Sequence, residues 1–327
     1  MNLGFCQPLI FDPVYKDYLW GGRQISVRYK RNGTPVPCAE SWEISTHPDG
    51  QSIVSQGLHR GKSLEELALQ YGAELMGNSS ADPYHFPLLF KIIDTNLPLS
   101  VQVHPNQRNA WRTNGEPKTE SWVILDAVPS AKIYAGLKRG TDERMLREAL
   151  ANDRVPDLLM SLSPTPEYSI YIPGGSVHAI GAGCLIYEVQ RNSNTTYRLY
   201  DWDRVDKNGN RRALHIEESL KSIDWSLPVP RLHAPVPAEK SPGAQWFNLV
   251  RCPYFSIRKL RISAPYRHLC DATTFSVFFV SLGTVRLTSG GETVRIPTGR
   301  SALVPAAAPE WRVEPEDGVA EVLVSRL

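Results

Sequence analysis

Residues 168–189 read YSIYIPGGSVHAIGAGCLIYEV, and they decide the architecture. Tyr168–Pro173 and Cys184–Val189 are β-branched and aromatic runs of strand length. Between them Pro173, Gly174 and Gly175 make a tight turn, because proline fixes one backbone angle and glycine accepts conformations closed to other residues. His178 follows on the next strand. A turn followed by an ordinary core histidine has the same local sequence, so these six residues leave a ligand role and a packing role both open.

The same punctuation continues outward. The chain carries 26 prolines and 23 glycines among many short apolar runs, a pattern that predicts a mainly β fold. Phe275–Thr288, Glu292–Ile296 and Arg300–Val304 read as strands joined by glycine-containing turns, which predicts a second, smaller all-β unit at the C-terminus. Helices are few. Ser63–Met76 opens with a capping box, Ser63 and Glu66, and repeats apolar residues at Leu64, Leu67, Ala68, Tyr71 and Leu75. Two more are expected near 141–151 and 216–223. The segment Leu227–Gly243, LPVPRLHAPVPAEKSPG, can hold neither a helix nor a central strand. It divides the chain into a larger unit over 1–226, a connection over 227–244 and a smaller unit over 245–327.

A chain of 327 residues buries enough apolar surface to need no disulfide staples. Its five cysteines, Cys6, Cys38, Cys184, Cys252 and Cys270, are odd in number, scattered and free of any C-x-x-C pair. That argues against a disulfide framework and against a thiolate zinc site, and it fits a reducing cytoplasm. Met1–Asp12 lacks the basic start of a secretory leader, and no later stretch has the length of a membrane span. Basic and acidic residues, 36 and 34, are mixed along the chain, so neither nucleic acid nor a membrane surface is an expected partner. Any anionic partner should be small and bound locally.

Two further segments carry polar side chains in patterns that matter for chemistry. In Ser100-Val101-Gln102-Val103-His104 polar and apolar residues alternate strictly, so a strand aims Ser100, Gln102 and His104 at one face. A half-solvated strand with its polar side in water has the same alternation. In Pro117-Lys118-Thr119-Glu120-Ser121-Trp122 the same period puts Lys118 and Glu120 on one side, and a surface ion pair explains that equally well. Together with His178 these segments offer two imidazoles, a carboxylate and an amide oxygen. Such a nitrogen and oxygen set suits zinc, with manganese, iron, cobalt or nickel as substitutes.

Pro173–His178 has the P-x-G-x-x-H form of the second metal motif of the cupin superfamily. More specifically, LLFKIIDTNLPLSVQVHPN (Leu88–Asn106), PKTE (Pro117–Glu120) and IPGGSVHAIGAGCLIYEVQRNSNTTYRLYDWDR (Ile172–Arg204) closely resemble type I mannose-6-phosphate isomerases. Trp20-Gly21-Gly22 and Glu40-Ser41-Trp42-Glu43-Ile44-Ser45 extend the likeness, which is collinear over most of 12–225. The resemblance implies a cupin-like β-sandwich or jelly roll, with the larger unit catalytic and the smaller one without metal. It implies one Zn2+ held by Gln102, His104, Glu120 and His178. It places Lys91, Lys118, Glu188 and Arg198 around the sugar phosphate, with Ser100 in the same pocket. Lys118, Glu188 and Arg198 are thereby the expected catalytic residues. Some members of the family have His at the position of Pro117 and Asp at that of Asn194; neither Pro nor Asn transfers a proton near neutral pH. The chain's length matches the short bacterial form, and GRSALVPAAAPEW (Gly299–Trp311) has a cupin-like turn without a ligand histidine.

The implied reaction interconverts mannose 6-phosphate and fructose 6-phosphate by proton transfer through a cis-enediol, with Glu188 or Lys118 as the base. No nicotinamide is required, and no convincing dinucleotide fingerprint is present. Ser176 lacks the closing glycine of a nucleophile elbow. The rival expectation is a sugar-phosphate-sensing, metal-binding cupin without turnover; an iron oxygenase would ordinarily use a more histidine-rich ligand set. The expected quaternary state is a monomer or weak homo-oligomer.

Overall fold

The computed structural model describes residues 5–205 and 208–327. The leader reading at Met1–Gly4 therefore lies outside the described residues. Strands form sheets of seven, five, six and four members beside one two-stranded pair, and every pairing between the described strands is antiparallel. The seven-stranded sheet runs Leu232–His233, Ser169–Ile172, Glu120–Ala127, Cys184–Arg191, Leu88–Thr95, Glu40–Ile44, Val14–Lys16. The five-stranded sheet runs Tyr197–Tyr200, Val101–Val103, His178–Ile180, Ile133–Leu137, Leu159–Leu162.

Four apolar cores show how the sheets stack. Ile93, Trp122, Ile124, Ile172 and Ile186 of the seven-stranded sheet pack with Ile133, Ala135 and Ile180 of the five-stranded one, making a β-sandwich. A second sandwich, from the six- and four-stranded sheets, is filled by residues such as Trp246, Phe278, Val322 and Trp311. Between the two lies a shared core in which Phe90, Ile92, Tyr187 and Val189 meet Ile257, Val277, Phe279 and Leu323. The fourth core, with Val101, Val103, Val177, Ala179 and Leu199, covers the outer face of the five-stranded sheet.

Strand parity then decides where the polar residues point. In Cys184–Arg191, Leu185, Tyr187 and Val189 enter the shared core, while Cys184 and Ile186 enter the first sandwich. Glu188 shares their parity and faces the sandwich interior. Phe90 and Ile92 against Ile93 do the same for Lys91, and Val123 against Trp122 and Ile124 for Glu120. Strand Leu88–Thr95 is buried along its whole length, which explains its near-continuous apolar sequence.

The expected helix over Ser63–Met76 is two, Leu64–Tyr71 and Ala73–Met76, because Gly72 takes a left-handed φ of +46° between them. Its capping box is formed: Ser63 Oγ accepts from Glu66 N, and the Glu66 carboxylate accepts from Ser63 N. Helices at Glu143–Ala151 and Ile216–Ser222 match expectation, whereas Gln24–Tyr29 was not foreseen. The proline-rich segment contributes Leu232–His233 and Val236–Ser241, each at the edge of its sheet, where a missing N–H costs no ladder bond. Across the shared core Arg31 donates to Glu43 at 2.8 Å and to the Gly299 carbonyl, a buried polar tie to the C-terminal strands. Among the described residues no helix is long and apolar enough to cross a membrane.

Candidate metal centre and sugar pocket

His104, Glu120 and His178 converge inside the first sandwich, all buried, with their potential ligand atoms within 4.8 Å of one another. Each comes from a different structural device. His104 directly follows the strand Val101–Val103, whose valines anchor it to the outer core. Glu120 opens Glu120–Ala127, and His178 opens His178–Ile180 directly opposite Gln102 in register. The glycine turn fixes the last of these. Gly175 has φ +97°, donates to the His104 carbonyl at 2.8 Å, and leaves no room for a Cβ, which would lie 2.7 Å from Asp224 Cβ. A Cβ on Gly174 would lie 2.7 Å from the Lys118 carbonyl. The turn is thus bound to the segments carrying the other ligands.

The donor chemistry fits zinc. His104 Nδ1 sits 2.8 Å from the Thr195 carbonyl and His178 Nδ1 2.9 Å from that of Ser176. A ring N–H donated to a carbonyl leaves the Nε2 lone pair for a metal. Both Nε2 atoms face Glu120, at 3.3 and 3.2 Å. His178 Nε2 and Glu120 Oε1 are buried without hydrogen-bond partners, a costly arrangement in an apolar interior that a cation relieves. Burial and the Lys118 ammonium push the His104 pKa down to about 3, and burial also lowers that of His178, so both imidazoles are neutral. Burial alone would raise the Glu120 carboxyl, but Lys118, His104 and His178 outweigh it and hold it well below its ordinary range. The three side chains therefore form a buried zinc triad in the protonation states ligation requires.

Above the triad lies a pocket of about 260 Å3 lined by Glu120 together with Lys91, Ser100, Gln102, Lys118, Glu188 and Arg198. Lys118 is buried, not on the surface, with Nζ 2.9 Å from Glu120 Oε2 and 3.1 Å from His104 Nε2. Lys91 stands between two carboxylates, 3.4 Å from Glu40 and 3.5 Å from Glu188. Burial opposes its charge, yet Glu40 and Glu188 hold its pKa above the ordinary lysine value. Glu188 Oε1 accepts from Trp122 Nε1 at 2.9 Å, whereas Oε2 has no hydrogen-bond partner. Burial and the neighbouring Glu120 charge raise its pKa against the pull of Lys91 and Lys118.

Arg198 forms no ion pair among the described residues, although Asp201 and Asp203 follow closely in sequence. Asp201 is taken by Arg204 and, at 3.7 Å, by Arg212; Asp203 pairs with Arg211 at 3.0 Å. Among the described residues the Arg198 guanidinium donates to the Ala213 carbonyl, at 3.1 Å, and its Nε is buried without a hydrogen-bond partner. Asn194 also lines the pocket, its amide donating to Asp49 Oδ2 at 2.6 Å. Residues assigned no role from sequence also line it, among them Tyr18, Trp20, Glu40 and Arg212. Glu40 was legible in principle, since Glu40-x-Trp42 alternates on a strand; Trp42 Nε1 now donates to its carboxylate at 2.6 Å.

Comparison with known proteins gives the same picture. The family model described as phosphomannose isomerase type I, catalytic domain, matches residues 9–120, and that described as mannose-6-phosphate isomerase, cupin domain, matches residues 246–327. The mannose-6-phosphate isomerase ManA of Bacillus subtilis is 36% identical over 98% of this chain and 99% of its own. A mannose-6-phosphate isomerase of Streptococcus mutans is 34% identical over 98% of each chain. Among solved structures, a mannose 6-phosphate isomerase from Bacillus subtilis superposes with a TM-score of 0.88 at 29% identity, covering 98% of this chain and 100% of that one. A putative mannosephosphate isomerase from Archaeoglobus fulgidus shares the fold, with a TM-score of 0.76 at 23% identity over 98% and 97% of the two chains.

Proposed function

The chain belongs to the type I mannose-6-phosphate isomerases, and from that premise we propose that its pocket interconverts mannose 6-phosphate and fructose 6-phosphate with Glu188 as the base. The carrying observation is the pairing of a buried zinc triad with a carboxylate oxygen, Glu188 Oε2, that accepts no hydrogen bond and faces only the Lys91 ammonium among the described residues, on one pocket wall. Gln102, beside His178 on the neighbouring strand, is the fourth ligand in this reading. Zinc supplies Lewis-acid polarisation of the sugar's reacting oxygens.

The protein's own groups do the rest. Glu188 Oε2 takes the proton from C2 of the open-chain aldose as O1 gains a proton, giving a cis-enediol, and returns it to C1 as O2 gives up its proton, so the C2 hydroxyl becomes the carbonyl with no net oxidation. A carboxyl with a raised pKa is better matched to that shuttle than one near its ordinary value. Trp122 fixes the carboxylate's orientation, and Lys91 and Lys118 place positive charge beside the developing enediolate. Ser100 contacts the sugar hydroxyls, and Arg198, without a carboxylate partner among the described residues, binds the phosphate as a planar fork.

The proposed organisation is a catalytic unit over 1–226, a connection over 227–244 and a metal-free covering unit over 245–327. We place the protein in the cytoplasm as a monomer or weak homo-oligomer; the five free cysteines support the compartment. The deciding experiment is metal analysis together with a coupled isomerase assay on mannose 6-phosphate. Stoichiometric metal and sugar-phosphate binding without turnover would replace the enzyme by a sensor.

A further inference from the structure

We infer that Arg212 is a second phosphate-binding residue, forming with Arg198 a two-guanidinium clamp on the substrate's phosphoryl group; this rests on the isomerase reading above. Both arginines line the same pocket as Glu120 and Gln102. The segment that carries Arg212 is bound to the strand that carries Arg198: His215 N donates to the Arg198 carbonyl at 2.7 Å, Arg198 N to His215 Nδ1 at 3.1 Å, and Arg198 Nη1 to the Ala213 carbonyl at 3.1 Å. These bonds fix the residues that follow Arg212 against the Arg198 strand, and the two guanidinium groups lie close enough in the pocket to repel each other.

The charges in the pocket divide into two groups. Lys91 is matched by Glu40 and Glu188, and Lys118 by Glu120 at 2.9 Å. The two arginines are less closely matched among the described residues. There Arg198 forms no ion pair, and Arg212 pairs with Asp201 at 3.7 Å, a carboxylate already engaged by Arg204. Like charges facing one wall repel, and Arg212 adds to burial in disfavouring the Arg198 cation. A dianion arriving between them relieves both. The pocket therefore holds two lysines already paired with carboxylates beside the triad and Glu188, and two arginines with weak or no carboxylate pairing among the described residues. The phosphate of a bound hexose 6-phosphate is the anion those arginines are free to take.

The test uses full-length, metal-loaded protein with the substitutions Arg212→Ala, Arg212→Lys, Arg198→Ala and the double alanine variant. It measures kcat and KM for mannose 6-phosphate and for mannose, and inhibition by inorganic phosphate. Losing a charged hydrogen bond at a partly exposed side chain weakens binding by roughly tenfold. Arg212→Ala is expected to raise KM for mannose 6-phosphate and the phosphate inhibition constant by that factor while leaving mannose turnover nearly unchanged. Arg212→Lys should fall between. The double variant should lose less than the product of the single losses, since both side chains hold one group. Unchanged phosphate inhibition in Arg212→Ala, or equal losses for the two sugars, overturns the clamp. Metal content and melting temperature identify a misfolded variant, for which Arg212→Lys then decides. Wild-type protein that fails to turn over mannose 6-phosphate would sink the isomerase reading instead, and calorimetric titration of inorganic phosphate into the same variants would still decide Arg212.

Discussion

Trp122 Nε1 donates to Glu188 Oε1 at 2.9 Å and so fixes one oxygen of a buried carboxylate whose other oxygen has no hydrogen-bond partner. Glu188→Gln keeps the shape and removes the base. It should lower kcat by roughly a hundredfold or more, the usual contribution of a positioned general base, with metal content unchanged. Trp122→Phe keeps the ring in the core and removes the donor, so it should cost less, about tenfold. Normal turnover in Glu188→Gln, measured beside elemental analysis, would remove Glu188 from the chemistry.

Metal loss should separate the triad from its neighbours. His104→Ala, Glu120→Ala and His178→Ala each delete one of three convergent donors and are expected to abolish both bound zinc and activity. Gln102→Ala, which removes a neutral amide, should be milder. Chelation should inactivate wild-type protein and lower its melting temperature, and added zinc should restore both. Full metal occupancy in all three triad variants would refute the centre.

Gly175→Ala tests the turn without touching a ligand. At φ +97°, with the new Cβ 2.7 Å from Asp224 Cβ, alanine must distort the backbone that seats His178. Strain of this kind costs about 1–3 kcal/mol, and zinc affinity should fall with it. An alanine variant with wild-type stability and affinity would show that the turn adapts.

Asp94 gives stability a pH dependence of predictable sign. Its carboxylate accepts from Gln24 N and Ile25 N, yet burial outweighs those bonds and raises its pKa to about 6 from 3.8. A raised acid pKa means that the native state holds the proton more tightly. The contribution of Asp94 to stability is therefore greatest at low pH, declines as pH rises from about 4 to about 6, and is constant above that. The full span is about 3 kcal/mol. Asp94→Asn keeps an acceptor for both amides and stays neutral, so it should be the more stable protein at pH 7, with an advantage that shrinks toward pH 4. Denaturant titrations of both proteins across this range check it; a pH-independent difference would contradict it.

Sequence by itself determined the strands and their faces. Alternation is a property of neighbouring residues, so Val101 and Val103 against Gln102 and His104 could be read directly, and the turn at Gly174 and Gly175 announced itself through residues that only a special backbone requires. Collinear likeness over most of 12–225 then identified the family. What sequence left open was pairing across distance. Lys118 and Glu120 read equally well as a surface ion pair, and only burial beneath the seven-stranded sheet sets them against His104. Asp201 and Asp203 follow Arg198 closely in sequence, but the fold gives them to Arg204, Arg211 and Arg212. Tyr18, Glu40 and Arg212 enter the pocket from segments far apart in the chain. Proximity of charges in sequence does not fix proximity in space, because sheet order and register set those distances, and they are decided by how the whole set of apolar faces packs.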